Sequence, residues 1–144
     1  MNIEHIHDLI RRAEAYDLDR GPHLSQLTAE EIADAYNGIG AAWMPAKIRD
    51  KITTDYADLE PAAMIHDVDY AHAAGTISDF HQANARLRDN ILKTADSVAI
   101  PWISWKWWKL RLAATACFEA VERAGIYAYI NAYHTKQTKE KTNE

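Results

Sequence analysis

The segment EPAAMIHDVDY, residues 60–70, constrains this 144-residue chain more than any other, because a helix is marked there at both ends around a His-Asp pair. Pro61 suits the first helical position, where its missing N–H costs nothing, and Gly75 suits the left-handed residue just past the end. About four turns fit between them. His66 and Tyr70 then stand one turn apart on one face, while Asp67 is rotated by roughly 100° and can meet a different partner. A base and a metal-binding carboxylate are thereby side by side. A helical His-Asp on its own is common by chance, so a second motif must give it weight.

That second motif is Tyr36-Asn37-Gly38-Ile39-Gly40. Two glycines around one apolar residue allow a tight turn whose carbonyls converge, which suits a hard cation such as calcium. YNGIG, followed about twenty residues later by EPAAMIHDVDY, resembles the phospholipase A2 superfamily, nearest to its small bacterial and phage-type members. The likeness runs from Tyr36 to about Gly125. It implies an all-α, phospholipase A2-like fold with two antiparallel core helices carrying the site, an N-terminal helix, and a long Trp-rich C-terminal helix. It also implies Ca2+ held by Asp67 and the backbone carbonyls of Asn37, Gly38 and Gly40, with His66 as general base and Tyr70 as a hydrogen-bonding support. The activity implied is hydrolysis of the sn-2 ester of glycerophospholipids.

One position departs from the pattern. The family carries an Asp on its second core helix that hydrogen-bonds the catalytic histidine, and the matching residue here is Asn84. An amide accepts a hydrogen bond but has no charge to balance an imidazolium; in a serine-protease triad the same exchange costs about four orders of magnitude in rate. Asp79, five residues earlier, is the alternative carboxylate if the helix is rotated. The departure motivates a second reading, a catalytically lapsed scaffold that binds a protein partner or a lipid surface. A third comes from His5 and the His7-Asp8 pair, which together with His66-Asp67 suggest the H…HD…D metal phosphohydrolases; neither YNGIG nor Tyr70 fits that reading.

The length suits one domain, expected over residues 1–134, with residues 135–144 a polar tail that frays. Cys117 is the single cysteine, so no internal disulfide can form, and Ile39 and Ala63 stand where the similar bacterial pattern has two cysteines. Nothing near the N-terminus resembles a signal peptide and no apolar run reaches a membrane span. A cytoplasmic protein is expected, with room for peripheral membrane contact. The net charge of −5 is unevenly divided, −8 over residues 1–100 and +3 over residues 101–144, and no Lys/Arg patch of the kind nucleic-acid binding needs lies outside the Trp-rich segment.

Residues 2–16 read as a first helix, with Ile3, Ile6, Leu9, Ile10 and Ala13 at helical spacing. Thr28 to Glu31 form a capping box that starts a short helix and delivers Tyr36 to the glycine turn. Residues 46–52 form another short helix, led in by Trp43, Met44 and Pro45. Past Gly75, residues 78–94 form a helix expected to pack antiparallel to the His66 helix. A last long helix follows Pro101, burying Ile103, Trp107, Leu110, Ala114, Cys117 and Val121 and ending at Gly125. Its other stripe, Trp102, Trp105 and Trp108 beside Lys106 and Lys109, suits a phospholipid headgroup boundary or a protein interface.

Overall fold

The structure, a computed structural model, describes residues 2–39 and 46–142, apart from the side chains of Ala46, Arg49, Ala132 and residues 135–142. It is all-α, with no strand among the described residues: α1 (Ile3–Ala15), α2 (Ala29–Ala35), α3 (Ala46–Asp55), α4 (Glu60–His72), α5 (Ile77–Val98) and α6 (Trp105–Thr142). None of the described helices is long and apolar enough to cross a membrane.

Local chemistry accounts for the helix starts. Asn2 caps α1 by accepting the Glu4 N–H at 3.0 Å. Thr28 accepts the Glu31 N–H while Glu31 accepts the Thr28 N–H, a complete capping box at the start of α2. Pro61 lies in the first turn of α4. Thr76 caps α5 through the Asp79 N–H at 3.1 Å.

α4 is the central helix, in contact with α1, α2, α5 and α6. Ile6, Leu9, Ile32, Met64, Ile65, Val68, Ile91 and Leu110 fill the main core around it. Residue pairs along α5 fix its direction: Phe80 meets Tyr70, Asn84 meets His66, and the end of α5 reaches the turn before α4. The two are antiparallel. α6 also runs antiparallel to α5, since Glu122 meets Asn84, Phe118 meets Arg88, and Trp107 meets Asp96.

The loop after α1 is pinned by Asn90, fully buried on α5. Its Oδ1 accepts the Asp19 N–H and its Nδ2 donates to the Asp19 carbonyl, both at 2.8 Å. Arg86 adds ion pairs to Asp19 and to buried Asp69, so the loop, α4 and α5 share one polar seam.

Two expectations about α6 are corrected. Gly125 does not end the helix; α6 continues through it to Thr142 and takes in most of the polar stretch 135–144. A β-carbon at Gly125 would stand 2.9 Å from the Tyr70 hydroxyl, so the glycine answers a close approach within the helix. Ile103 precedes α6 and is 82% exposed, so the buried stripe starts at Trp107. Cys117 is half-buried, and burial pushes its thiol pKa up.

Candidate active site

Because α4 is enclosed on most sides, its polar residues meet partners inside the fold. Glu60, His66, Asp69 and Tyr70 are all buried. Each is met by a different element. Glu60 accepts from Tyr36 Oη at 3.3 Å and lies 2.8 Å from His5 Nε2, which ties α1 and the end of α2 to the start of α4. Asp69 pairs with Arg86. His66 and Tyr70 turn toward α5.

His66 Nε2 lies 3.1 Å from Asn84 Oδ1, and the Tyr70 hydroxyl donates to the same oxygen at 2.6 Å. The Tyr70 ring packs 4.1 Å from the imidazole, centroid to centroid. Asn84 is thus the partner of His66 in the register expected from the sequence. Asp79 is not: its N–H engages Thr76, and its side chain lines a separate cavity. Behind Asn84, Nδ2 donates to Glu122 Oε1 at 2.7 Å, and Glu122 Oε2 lies 2.8 Å from His81 Nδ1. Burial pushes the Tyr70 phenol well above its ordinary pKa, so it holds its proton and donates.

The other imidazole nitrogen faces Asp67. Nδ1 and Asp67 Oδ1 are 3.8 Å apart, too long for a hydrogen bond, while Asp67 Oδ2 accepts the Asn37 N–H at 3.1 Å. His66, Asp67 and Asn37 are therefore brought together, with the Asp67 side chain a quarter exposed between imidazole and turn. Gly38 adopts φ +87, a conformation that favours glycine, and the Ile39 N–H donates to Thr53 Oγ1 at 3.3 Å. The Asn37 side chain folds back onto the Ala35 carbonyl. Gly40 and the lead-in residues Trp43, Met44 and Pro45 lie outside the described residues.

Among the described residues no three His, Cys, Asp or Glu side chains group as metal ligands. Asp67 supplies one hard carboxylate beside a turn of left-handed backbone. Calcium takes six to eight oxygens, so carbonyls of the turn and solvent would have to complete the shell. Of the expected ligands, the described residues place one side chain at the turn, Asp67, and the backbone group that meets it is the Asn37 N–H.

His5 and the His7-Asp8 pair do not join this site. His5 is bound to Glu60, His7 is exposed, and Asp8 pairs with Arg11 and Arg12 on its own helix. The phosphohydrolase arrangement is therefore not formed. A cavity of about 410 Å³ lies elsewhere, lined by His23, Asp69, His72, Asp79, Gln82 and Arg86. Burial raises the pKa of Asp69, with the Arg86 guanidinium opposing that rise. Neither His66 nor Asp67 lines it.

Glu122 is the site residue that the sequence did not single out. It stands on α6 in a stripe with Gly125 and Tyr129, three and four residues apart, and that stripe forms the back wall behind His66 and Tyr70. The spacing is visible in the sequence, but the break read into Gly125 hides it.

At the start of α6 the Trp residues divide. Trp107 is buried, while Trp102 and Trp105 are 72% and 76% exposed and Trp108 is partly exposed. Trp102, Trp107 and Trp108 form an aromatic cluster, and Trp102 holds φ +63, a strained value for a bulky residue. The neighbouring lysines are already engaged: Lys106 pairs with Asp58 at 2.7 Å, and Lys109 lies 4.3 Å from the Tyr56 ring centroid and donates to the Asp55 carbonyl. No protein-family model, curated protein or solved structure matches the chain at a significant level.

Proposed function

We propose that the protein is a phospholipase A2-like hydrolase of the sn-2 ester of glycerophospholipids, dependent on calcium and slowed by Asn84. One observation carries the reading: His66 is held from behind at Nε2 by Asn84, and its Nδ1 side is turned toward Asp67 and the glycine turn. An imidazole fixed at one nitrogen and open to a carboxylate at the other has the geometry of a positioned general base.

In the proposed reaction His66 Nδ1 takes a proton from water as the water oxygen attacks the ester carbonyl, and the proton later passes to the leaving alkoxide. Asp67 and the backbone carbonyls of Asn37, Gly38 and Gly40 would hold Ca2+. The ion, when bound, would polarise the carbonyl and share the oxyanion's charge. A backbone N–H near Gly38 would donate to the same oxygen. Tyr70 and Asn84 keep the imidazole in place; Asn84 brings no charge of its own, which is the reason for expecting slow turnover. Ile100, Trp102, Ile103 and Trp105, all largely exposed, form an apolar knuckle suited to the headgroup boundary of a lipid surface.

A second reading, a lapsed enzyme that only binds a lipid surface or a protein partner, draws on Asn84 and on the same knuckle. Fatty-acid release from liposomes separates the two. The hydrolase reading expects release with calcium, loss in chelator, and loss in Asp67→Asn. Release that persists in chelator discards the mechanism, and no release under any condition leaves the binding reading.

A further inference from the structure

We propose that Glu122 is a positioning residue for His66, acting through Asn84 to decide which imidazole nitrogen carries the proton. Its consequence for catalysis rests on the hydrolase reading, while its effect on the imidazole does not.

Donor and acceptor identities fix the orientation of the Asn84 amide. A carboxylate only accepts hydrogen bonds, so the Asn84 group 2.7 Å from Glu122 Oε1 must be the amide NH2. The Asn84 oxygen must then face His66 and Tyr70. That oxygen also only accepts, so the Tyr70 hydroxyl donates to it at 2.6 Å and His66 Nε2 donates at 3.1 Å. A neutral imidazole has one ring proton; with Nε2 carrying it, the Nδ1 lone pair is left on the Asp67 side, where the reaction needs a base. An amide is nearly the same shape either way round. Reversed, Asn84 would present NH2 to His66, the proton would move to Nδ1, and the base would be blocked. Asn84 is fully buried, so no solvent corrects a wrong orientation.

The same contacts bear on restoring the family's Asp. Asn84→Asp alone would place two carboxylates where 2.7 Å now separates amide and acid, and one of them would have to keep a proton. The balanced exchange is Asn84→Asp with Glu122→Gln, which moves the acceptor-only group next to His66 and the amide behind it.

The test reads the His66 ring nitrogens by 15N NMR, in the full chain without lipid, at a pH where the imidazole is neutral. Wild type is expected to show the Nε2–H form with Nδ1 unprotonated. Glutamine can present either end of its amide, so in Glu122→Gln the Nδ1–H form is expected to rise from a minor species to one comparable with Nε2–H. The double variant is expected to return to Nε2–H alone. A Glu122→Gln protein that is folded and keeps the wild-type tautomer overturns the proposal and leaves Glu122 as a tie between α5 and α6. If Glu122→Gln does not fold, Glu122→Ala decides, because it removes the acceptor that holds the Asn84 amide: a comparable Nδ1–H population supports the proposal, and the wild-type tautomer alone overturns it. Absence of fatty-acid release in wild type would defeat the hydrolase reading and leave this result intact.

Discussion

The Tyr70 hydroxyl occupies the space that a β-carbon on Gly125 would need, with only 2.9 Å between them. Glycine inside a helix costs about 1 kcal/mol relative to alanine, so the residue is retained against helix propensity. The hydroxyl cannot easily give way, because it is bonded to Asn84 at 2.6 Å and its ring is packed edge-on against Tyr129 at 5.2 Å. Gly125→Ala is therefore expected to destabilise the protein by about 1–3 kcal/mol despite its better propensity. In a Tyr70→Phe background the same change should cost much less or stabilise by up to about 1 kcal/mol. Denaturant unfolding of the four proteins checks this; an equal effect of Gly125→Ala in both backgrounds would remove the proposed contact.

The same pair shows what was legible beforehand. Helix α4 is legible because its signals are local: Pro61 in the first turn, Gly75 beyond the end with φ +83, and His66 and Tyr70 one turn apart. The Thr28 to Glu31 capping box and the Asn84 register are legible for similar reasons. Gly125 reads as a helix end in the sequence because glycine near a helix end and glycine under a close contact look alike there. With the helix cut there, Glu122, Gly125 and Tyr129 could not be seen as one stripe, and the wall behind His66 was lost. The engagement of Lys106 and Lys109 by residues 55–58 was also illegible, since it depends on how the turn before α4 meets α6.

Buried phenols give a pH prediction. Burial raises Tyr36, with Glu60 and Asp67 adding to it, and burial likewise raises Tyr70. Both donate as neutral phenols, to Glu60 and Asn84 respectively. With folded values above the unfolded value of about 10, their contribution to stability is whole below pH 10 and is lost as pH rises through the folded values. Phenolate absorbance and helical circular dichroism are measured together on alkaline titration. The phenolate signal assigned by Tyr36→Phe and Tyr70→Phe should appear only with loss of helix; its appearance near pH 10 in a helical protein would contradict this.

The exposed knuckle at the start of α6 predicts vesicle binding without help from lysine, since Lys106 and Lys109 are already paired. Trp105→Ala should weaken binding to phospholipid vesicles by about tenfold or more, roughly 1.4 kcal/mol of lost apolar burial. Trp107→Ala is a poor comparison because Trp107 is buried, so Leu112→Ala, exposed further along α6, serves as the control. Sedimentation with vesicles, alongside a blue shift of Trp emission, measures it. Unchanged binding in Trp105→Ala would take the knuckle out of any lipid contact.

Hydrolysis by the proposed route requires His66 as the base. Vesicles carrying a labelled acyl chain at the sn-2 position, incubated in calcium with wild type and with His66→Ala, test it directly. The expected result is slow release of the sn-2 fatty acid and of lysophospholipid by wild type, reduced by at least about a hundredfold in His66→Ala. Equal release by the two proteins, or none by either, would contradict it.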